Sequence, residues 1–199
     1  MVETGVIHGR FQGLHLKHME YILAAKMRCK RLYIGITNPE DSYLAKVSNR
    51  LNKAKIAANP FTYIERYEML RDAMKEFGVD REEFEIIPFP ITKPDQLLQY
   101  APQDAVYFLG ICDSWSEDNK KVLEGLGLKT EVIWWKSPDE KGITGAEVRE
   151  NIITGQDWRN LVPKTVYQYI VKRHLDDRVK RLVEEKRVTK KRLEKLEKK

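Results

Sequence analysis

Short apolar runs alternate with helix-patterned segments along most of this chain, and this alternation limits the fold more strongly than any other feature. The apolar runs predict strands at residues 2–8, 31–36, 84–89, 105–109 and 130–135. Helical spacing predicts helices at residues 15–28, 60–77, 94–100 and 117–126, and two more that begin at Thr144 and Pro163. Strands that alternate with helices indicate a parallel sheet with helices on both faces, a doubly wound α/β fold.

Charge divides the chain into two parts. Its 199 residues suit one α/β domain with an appended element. The net charge of +6 comes from 36 Lys and Arg against 30 Asp and Glu, and residues 164–199 hold 14 of the former and 6 of the latter. Residues 1–163 are therefore slightly acidic, at −2. We predict a domain at 1–163 and a basic C-terminal helical extension at 164–199, with nucleic-acid binding only through the extension.

The extension carries an interrupted heptad pattern. Its seam alternates in steps of four and three residues through Leu175, Val179, Leu182, Lys186, Thr189, Leu193 and Leu196. Because Lys186 and Thr189 interrupt the apolar positions, we predict a helix that packs near its start and is solvated further on. The domain at 1–163 is expected to fold without the residues after His174. Contacts between copies of the chain, as a homo-oligomer, remain an alternative role.

Neither a membrane segment nor a secretory signal is evident in the sequence. No apolar run approaches the length of a membrane span, and the chain begins with a strand pattern rather than a signal peptide. The two cysteines, Cys29 and Cys112, lack metal-ligand spacing and suit a reducing compartment. The expected location is the cytoplasm.

Two histidines lie at the first strand–helix junction. Residues 9–18 read GRFQGLHLKH, so His15 and His18 share one face of the first helical turn. In an open α/β sheet this junction lies at the carboxyl edge, where ligands bind. A helix N-terminus beside Arg10 suits phosphate. A zinc site is not expected, because no third and fourth ligand with suitable spacing accompanies the pair.

A second helix start also suits phosphate. Residues 143–149 read ITGAEVR, where Thr144 and Glu147 fit a capping box and Arg149 lies near the capped end. A helix N-terminus beside a guanidinium is a good clamp for a polyphosphate. Taken alone, this motif favours a surface arginine on an ordinary capped helix, and the first motif is what shifts the interpretation of Arg149 to phosphate binding.

These segments resemble the signatures of the HxGH nucleotidyltransferase superfamily. Residues 9–18 are similar to the GRFQPxHxGH form of archaeal-type nicotinamide-mononucleotide adenylyltransferases, and residues 143–149 to their (I/S)-[ST]-G-x-x-[IV]-R motif. Residues 59–66 (NPFTYIER) and 155–163 (GQDWRNLVP) are similar to two further family segments, NPFTxxER and GxDWRxLVP. The resemblance implies a Rossmann-like doubly wound parallel sheet and transfer of a nucleotidyl group.

The resemblance also implies roles for individual residues. His15 and His18 would contact the α- and β-phosphates in the transition state, and Thr144 and Arg149 would hold the β- and γ-phosphates. Arg10 would bind phosphate where the first strand ends. The other predicted substrate-binding positions of the two loops are Gly9, Phe11, Gln12, Lys17 and Gly145.

The implied reaction joins ATP to a phosphorylated acceptor. A phosphate oxygen of the acceptor attacks the α-phosphorus, and pyrophosphate leaves. Because the acceptor is already anionic near neutral pH, no general base is required, and catalysis consists of positioning and charge stabilisation. Magnesium (Mg2+) is expected to bind through the ATP phosphates, since no carboxylate cluster suggests a protein cage.

The first motif and the implied acceptor pocket both depart from the family pattern. Gly13 replaces the family's Pro, and Lys17 replaces the Gly between the two histidines. The stretch 91–98 lacks the Asn and the Trp that hold nicotinamide in the archaeal enzymes.

A third departure follows the strand at 105–109. Residues 110–115 read GICDSW in place of the family's Ser-Gly-Asn-Pro. Asp113 and Trp115 are therefore candidates for the acceptor pocket, the carboxylate by hydrogen bonding and the indole by stacking. The alternative is that Trp115 caps the helix that begins near Ser116 and that Asp113 is solvated.

Three functions fit the sequence. The first is adenylyl transfer from ATP, with nicotinamide mononucleotide as the default acceptor and NAD and pyrophosphate as products. The second is cytidylyl or adenylyl transfer to another phosphorylated small molecule. The third is nucleotide binding without turnover, with the tail binding nucleic acid or a partner. The long connection at 41–59, with Lys46, Arg50, Lys53 and Lys55, is either a charged lid or a solvated excursion.

Overall fold

The computed structural model describes residues 1–44, 57–137, 140 and 142–196, with side chains to residue 188. The four basic residues of the predicted lid, Lys46, Arg50, Lys53 and Lys55, lie outside these residues. Within the described part of the chain, no helix combines the length and the apolar character needed to cross a membrane.

A single parallel sheet forms the centre of the fold. Its strands are β1 (Val2–Gly9), β2 (Cys29–Thr37), β3 (Phe84–Phe89), β4 (Val106–Ile111) and β5 (Lys129–Trp135). They are hydrogen-bonded in the order β3-β2-β1-β4-β5. Because β1 pairs with both β2 and β4, the order reverses at β1, and a crevice opens at the carboxyl ends of these strands. The predicted doubly wound fold is confirmed.

Helices follow the strands as predicted. They are α1 (Leu16–Lys26), α2 (Tyr63–Glu76), α3 (Pro94–Leu97), α4 (Ser114–Gly125), α5 (Gly145–Thr154), α6 (Lys164–Lys172) and α7 (Leu175–Leu196). The capping box predicted at Thr144 is present, and a second one is formed by Thr62 and Glu65 at the start of α2. Helix α4 begins three residues earlier than predicted, because Asp113 rather than a later residue caps it.

Apolar residues pack on both faces of the sheet. Val6 and Ile7 alternate along β1, and both are fully buried, in two different apolar clusters. The cluster around Ile7 is covered by α1 and α2, and the cluster around Val6 includes Leu123 of α4.

Packing continues past residue 163 into the predicted extension. Val166 and Ile170 of α6, and Leu175 and Val179 of α7, belong to the same apolar cluster as Ile7. No break in packing marks the predicted boundary at 163. The start of the extension thus forms part of the core in the described structure, as its heptad seam predicts near residue 175.

Candidate active site

His15 and His18 cap helix α1 reciprocally. His15 is the N-cap residue, and the backbone N–H of His18 donates to its Nδ1 at 3.3 Å. The backbone N–H of His15 donates in turn to Nδ1 of His18 at 3.4 Å. The two rings stack with their centroids 3.7 Å apart. Since each Nδ1 accepts a hydrogen bond, the proton of each neutral ring lies on Nε2.

The surroundings keep both imidazoles neutral. Burial, with a contribution from the positive charge of Arg149, lowers the pKa of His15 to about 4. Burial, together with His15 and Arg10, holds the pKa of His18 well below its ordinary value. Both rings line a cleft of about 680 Å³ at the carboxyl edge of the sheet. At neutral pH they are thus neutral N–H donors in the wall of the cleft.

The second motif meets the first directly. Nη1 of Arg149 donates to the backbone carbonyl of Gln12 at 2.5 Å. A Cβ on Gly145 would lie 2.8 Å from that same carbonyl oxygen, so only glycine permits this approach. Burial and then Arg10 lower the pKa of Arg149 to about 10, which leaves it cationic at neutral pH. Thr144 caps α5 and lines the same cleft.

The turn between β1 and α1 is shaped by unusual backbone angles. Phe11 has a φ of 51°, and its buried ring lies edge-on to His18 at 5.1 Å and against Gly9, where a Cβ would clash. Gly13 has a φ of 94°. A proline, with φ near −65°, cannot adopt this conformation, which accounts for glycine where the family has Pro.

Gln12 links this turn to the segment before α2. Its Nε2 donates to the carbonyl of Phe61 at 2.9 Å, and its Oε1 accepts the N–H of Phe61 at 3.0 Å. The side-chain amide is thereby engaged with protein backbone. The structure places Gln12 beside the cleft, with its side chain holding the loop and its carbonyl holding Arg149.

Lys17 and Arg10 are the further cations of the cleft wall. Lys17 pairs with Glu20 at 2.5 Å, and its stem lies over Gly142. Glu20 also accepts from Lys136 at 3.1 Å. The side chain of Arg10 is exposed at the cleft, within electrostatic reach of His18.

The two acceptor candidates stand at the start of α4. The carboxylate of Asp113 accepts the backbone N–H of Ser116 at 2.9 Å and so caps the helix. Trp115 is 47% exposed and lines the cleft. The structure therefore brings both residues to the cleft, with Asp113 engaged as a helix cap and the face of Trp115 free for stacking.

Arg66 is a buried residue beside the site whose role the sequence did not reveal, although it lies in the quoted NPFTYIER segment. Its side chain is only 1% exposed. The guanidinium donates to five backbone carbonyls, those of Thr62, Arg10, Thr37, Asn38 and Pro39. Burial lowers its pKa to about 10. Arg66 thus ties the loops after β1 and β2 together at the cleft.

His8 and Asn119 were also missed as site residues, and both line the cleft. The His8 ring stacks on Phe89 at 4.8 Å, and burial lowers its pKa to about 4. The buried Nδ1 of His8 and Nδ2 of Asn119 have no hydrogen-bond partner among the described residues. Such orphaned atoms are uncommon in folded proteins, and these two belong to residues that line the cleft. No local sequence signal distinguishes them.

Among the described residues, no group of three or more His, Cys, Asp and Glu side chains is arranged to hold a metal ion.

Paired imidazoles and an arginine, set at two helix N-termini over the carboxyl edge of a parallel sheet, define the class of the protein. It is an HxGH-type nucleotidyltransferase.

Comparison with known proteins identifies the family. The chain belongs to the cytidylyltransferase-like family, whose model matches residues 6–151. It is 41% identical over 177 residues to a phosphonoformate cytidylyltransferase of Streptomyces viridochromogenes, which covers 89% of this chain and 95% of that protein. It is 28% identical over 187 residues to a nicotinamide-nucleotide adenylyltransferase of Saccharolobus solfataricus, which covers 92% and 98%. Because the family and these relatives are nucleotidyltransferases, the alternative of nucleotide binding without turnover is excluded.

Solved structures agree on the fold. A bifunctional NMN adenylyltransferase/ADP ribose pyrophosphatase from Francisella tularensis superimposes with a TM-score of 0.64 at 16% identity, over 90% of this chain and 53% of that one. At this identity the likeness concerns the fold alone.

Proposed function

We propose that this enzyme transfers a cytidylyl group from CTP to a small phosphonate or phosphate acceptor and releases pyrophosphate. The observation that carries the chemistry is the stacked His15–His18 pair, whose Nε2–H groups are neutral donors at a helix N-terminus. The choice of CTP is supported by the 41% identity to phosphonoformate cytidylyltransferase over nearly all of that protein. Cytidylyl transfer to another acceptor is the second of the functions that the sequence suggested.

The reaction breaks one phosphorus–oxygen bond and forms another. An oxygen of the acceptor attacks the α-phosphorus of CTP, and the bond to the β-phosphate breaks, so that its electron pair leaves with pyrophosphate. The attacking oxygen is already deprotonated and needs no base. His15 and His18 would donate to oxygens on which charge builds in the transition state, where preorganised donors are worth most.

The rest of the cleft is suited to hold a triphosphate. The N-termini of α1 and α5 meet there, each with a partial positive charge. Arg149 and Arg10 add full charges, and Lys17 adds a third at the wall. Magnesium would enter with the phosphates, because the acidic residue at this wall, Asp113, already bonds the backbone of α4.

The acceptor is proposed to bind between α4 and the end of β1. Trp115 offers an aromatic face, and Asn119 lies one turn further along the same helix face. The unpartnered nitrogens of Asn119 and His8 suit the oxygens of a compact anion such as phosphonoformate.

A second candidate is adenylyl transfer to nicotinamide mononucleotide. It is favoured by the archaeal relatives, which match this chain over 81% to 98% of their own length at 24% to 28% identity. It is disfavoured by the stretch 91–98, which lacks the Asn and Trp of the archaeal acceptor site.

A matrix of substrates tests the proposal. Pyrophosphate release is measured for CTP, ATP, GTP and UTP, each with phosphonoformate, inorganic phosphate and nicotinamide mononucleotide. We expect kcat/KM for CTP with phosphonoformate to exceed that for ATP with nicotinamide mononucleotide at least tenfold. The reverse ratio would establish the second candidate, and turnover with no pair would overturn both assignments of substrate.

A further inference from the structure

Arg178 of the C-terminal helix α7 reaches the segment that precedes α2. Its Nη1 donates to Oε2 of Glu65 at 2.7 Å and to the carbonyl of Pro60 at 3.3 Å. Its guanidinium lies over the ring of Tyr43, 4.2 Å from the centroid. The side chains of Arg178 and Glu65 are only 14% and 12% exposed, so this is not a surface ion pair.

The carbonyl of Pro60 and the N–H of Phe61 belong to one peptide group. Arg178 bonds its oxygen from one side, and Oε1 of Gln12 accepts its N–H from the other at 3.0 Å. A peptide held at both ends has a fixed plane, and a cation on its oxygen strengthens the bond that its N–H donates. The C-terminal helix is thereby connected to the loop that carries the phosphate site.

The connection continues to the reacting groups. The carbonyl of Gln12 accepts from Arg149 at 2.5 Å, and Gln12 lies three residues before His15 in the same turn. Glu65, the other partner of Arg178, also accepts the N–H of Thr62 at 2.9 Å and so fixes the cap of α2. Each contact between Arg178, the 60–61 peptide, Gln12 and Arg149 is a hydrogen bond between described residues, and His15 is connected to Gln12 through the chain.

We propose that Arg178 is a positioning residue for nucleotidyl transfer, which acts through the 60–61 peptide and Gln12 on the two phosphate loops. It touches no substrate. Its effect is on the placement of Arg149 and His15, and a displacement of about 1 Å at such groups can lower a rate by as much as 100-fold. The inference rests on the nucleotidyl-transfer site and does not depend on which nucleotide or acceptor is used.

The test compares Arg178→Met with Arg181→Met. Arg181 lies on the same helix, is exposed and keeps the change in charge the same. Well below the unfolding temperature, we expect Arg178→Met to lower kcat at least tenfold and to change KM for the nucleotide less than threefold, while Arg181→Met changes neither. Arg178→Lys should restore only part of kcat, because an ammonium lacks the planar fork of a guanidinium.

A double-mutant cycle separates positioning from general destabilisation. If Arg178 acts through Gln12, the kcat losses of Arg178→Met and Gln12→Met will not multiply when combined, whereas Arg181→Met will combine with Gln12→Met without interaction. Arg178→Met leaves the buried Glu65 carboxylate unpaired. If that variant unfolds for this reason, the double variant Arg178→Met/Glu65→Gln replaces it, because it removes the unpaired charge. The pair should still show the fall in kcat.

Hydrogen exchange provides a readout that requires no turnover. Amides of residues 10–18 should exchange several-fold faster in Arg178→Met than in Arg181→Met. If exchange is faster in Arg178→Met but the wild-type enzyme does not turn over the proposed substrates, the role of Arg178 stands and only the proposed substrates are refuted. Unchanged exchange together with an unchanged kcat, or kcat losses that simply multiply with Gln12→Met, would overturn the role of Arg178.

Discussion

His15 and His18 combine two tasks in single side chains, since each Nδ1 caps the helix while each Nε2–H faces the cleft. Because each Nδ1 accepts a backbone hydrogen bond, the proton of each ring lies on Nε2, and this Nε2–H is the group that can donate to a ligand. A substitution that removes one ring therefore affects both the helix start and the chemistry. The two effects separate in kinetics, because a cap contributes to folding and a phosphate donor contributes to kcat.

Replacing His18 with Ala is expected to lower kcat far more than it weakens nucleotide binding. The imidazole meets charge that develops only as the phosphate transfers, and loss of one such donor costs on the order of 100-fold or more in rate. Steady-state kinetics with CTP and with ATP measure the effect. His174→Asn, at an exposed position, is the control. A His18→Ala enzyme with normal kcat would remove this residue from the reaction.

His8 should make stability depend on pH. Its folded pKa of about 4 lies below the unfolded value of 6.5, so the unfolded chain binds the extra proton between these values. Stability is then complete above about pH 6.5 and declines as the pH falls towards 4. His8→Leu should reduce this decline by about 1 to 3 kcal/mol, and denaturant unfolding at pH 7 and 4.5 measures it. An unchanged decline in His8→Leu would show that His8 already protonates in the folded state. If His8 also binds the acceptor, His8→Leu will raise KM for the acceptor.

Helix α4 brings the acceptor candidates to the cleft through its cap. Trp115→Ala is expected to raise KM for the acceptor at least several-fold and to leave KM for the nucleotide nearly unchanged, since the indole face is proposed to stack on the acceptor side. Trp135→Ala is the matched control, because Trp135 is 65% exposed and is not among the residues that line the cleft. Equal effects of Trp115→Ala on both substrates, or on neither, would exclude the indole from the acceptor pocket.

Helix α7 contributes to the core at its start. Leu175, Val179 and Leu182 are at most 8% exposed, and burial of each such side chain is worth about 1.5 to 3 kcal/mol. A chain ended after His174 is therefore expected to lose most of its stability and its activity, in contrast to the expectation from the sequence that the domain folds without these residues. A chain ended after Val188 keeps these residues and should fold. Circular dichroism melts and activity assays of the two truncations decide, and a stable, active short form would show that residues 1–174 fold without α7.

Across the whole molecule, the active site exists only where two distant loops touch. Gly145→Ala should lower kcat about 10- to 100-fold, because its Cβ would lie 2.8 Å from the carbonyl of Gln12 and would push the loops apart. Gly125→Ala is the control, since nothing lies within 4 Å of its Cβ. Calorimetry should show a small change in Tm for both variants. A Gly145→Ala enzyme with full kcat would show that this contact does not set the site.

The local features were predictable because they depend on short spacings. The reciprocal boxes at Thr62–Glu65 and Thr144–Glu147, the strand runs and the pairing of His15 with His18 each involve residues three or four apart or a period of two. The alternation of apolar runs with helix-patterned segments likewise predicted the parallel sheet, because a helix that connects two parallel strands appears as the segment between two apolar runs. The family motifs added the class of reaction.

The sequence by itself thus determined the strands, the helix caps and the two phosphate loops, and with them the nucleotidyltransferase class. Only the tertiary structure decided which groups meet across the chain. Gln12 hydrogen-bonds to the backbone of Phe61, and Arg66 donates to five backbone carbonyls. Arg178 donates to the carbonyl of Pro60, which lies 118 residues away in the sequence. The physical reason is that these contacts depend on the order of strands and on side-chain direction in packed elements, which no local spacing encodes. The same holds for the orphaned nitrogen of His8, whose missing partner becomes visible only once every neighbour is in place.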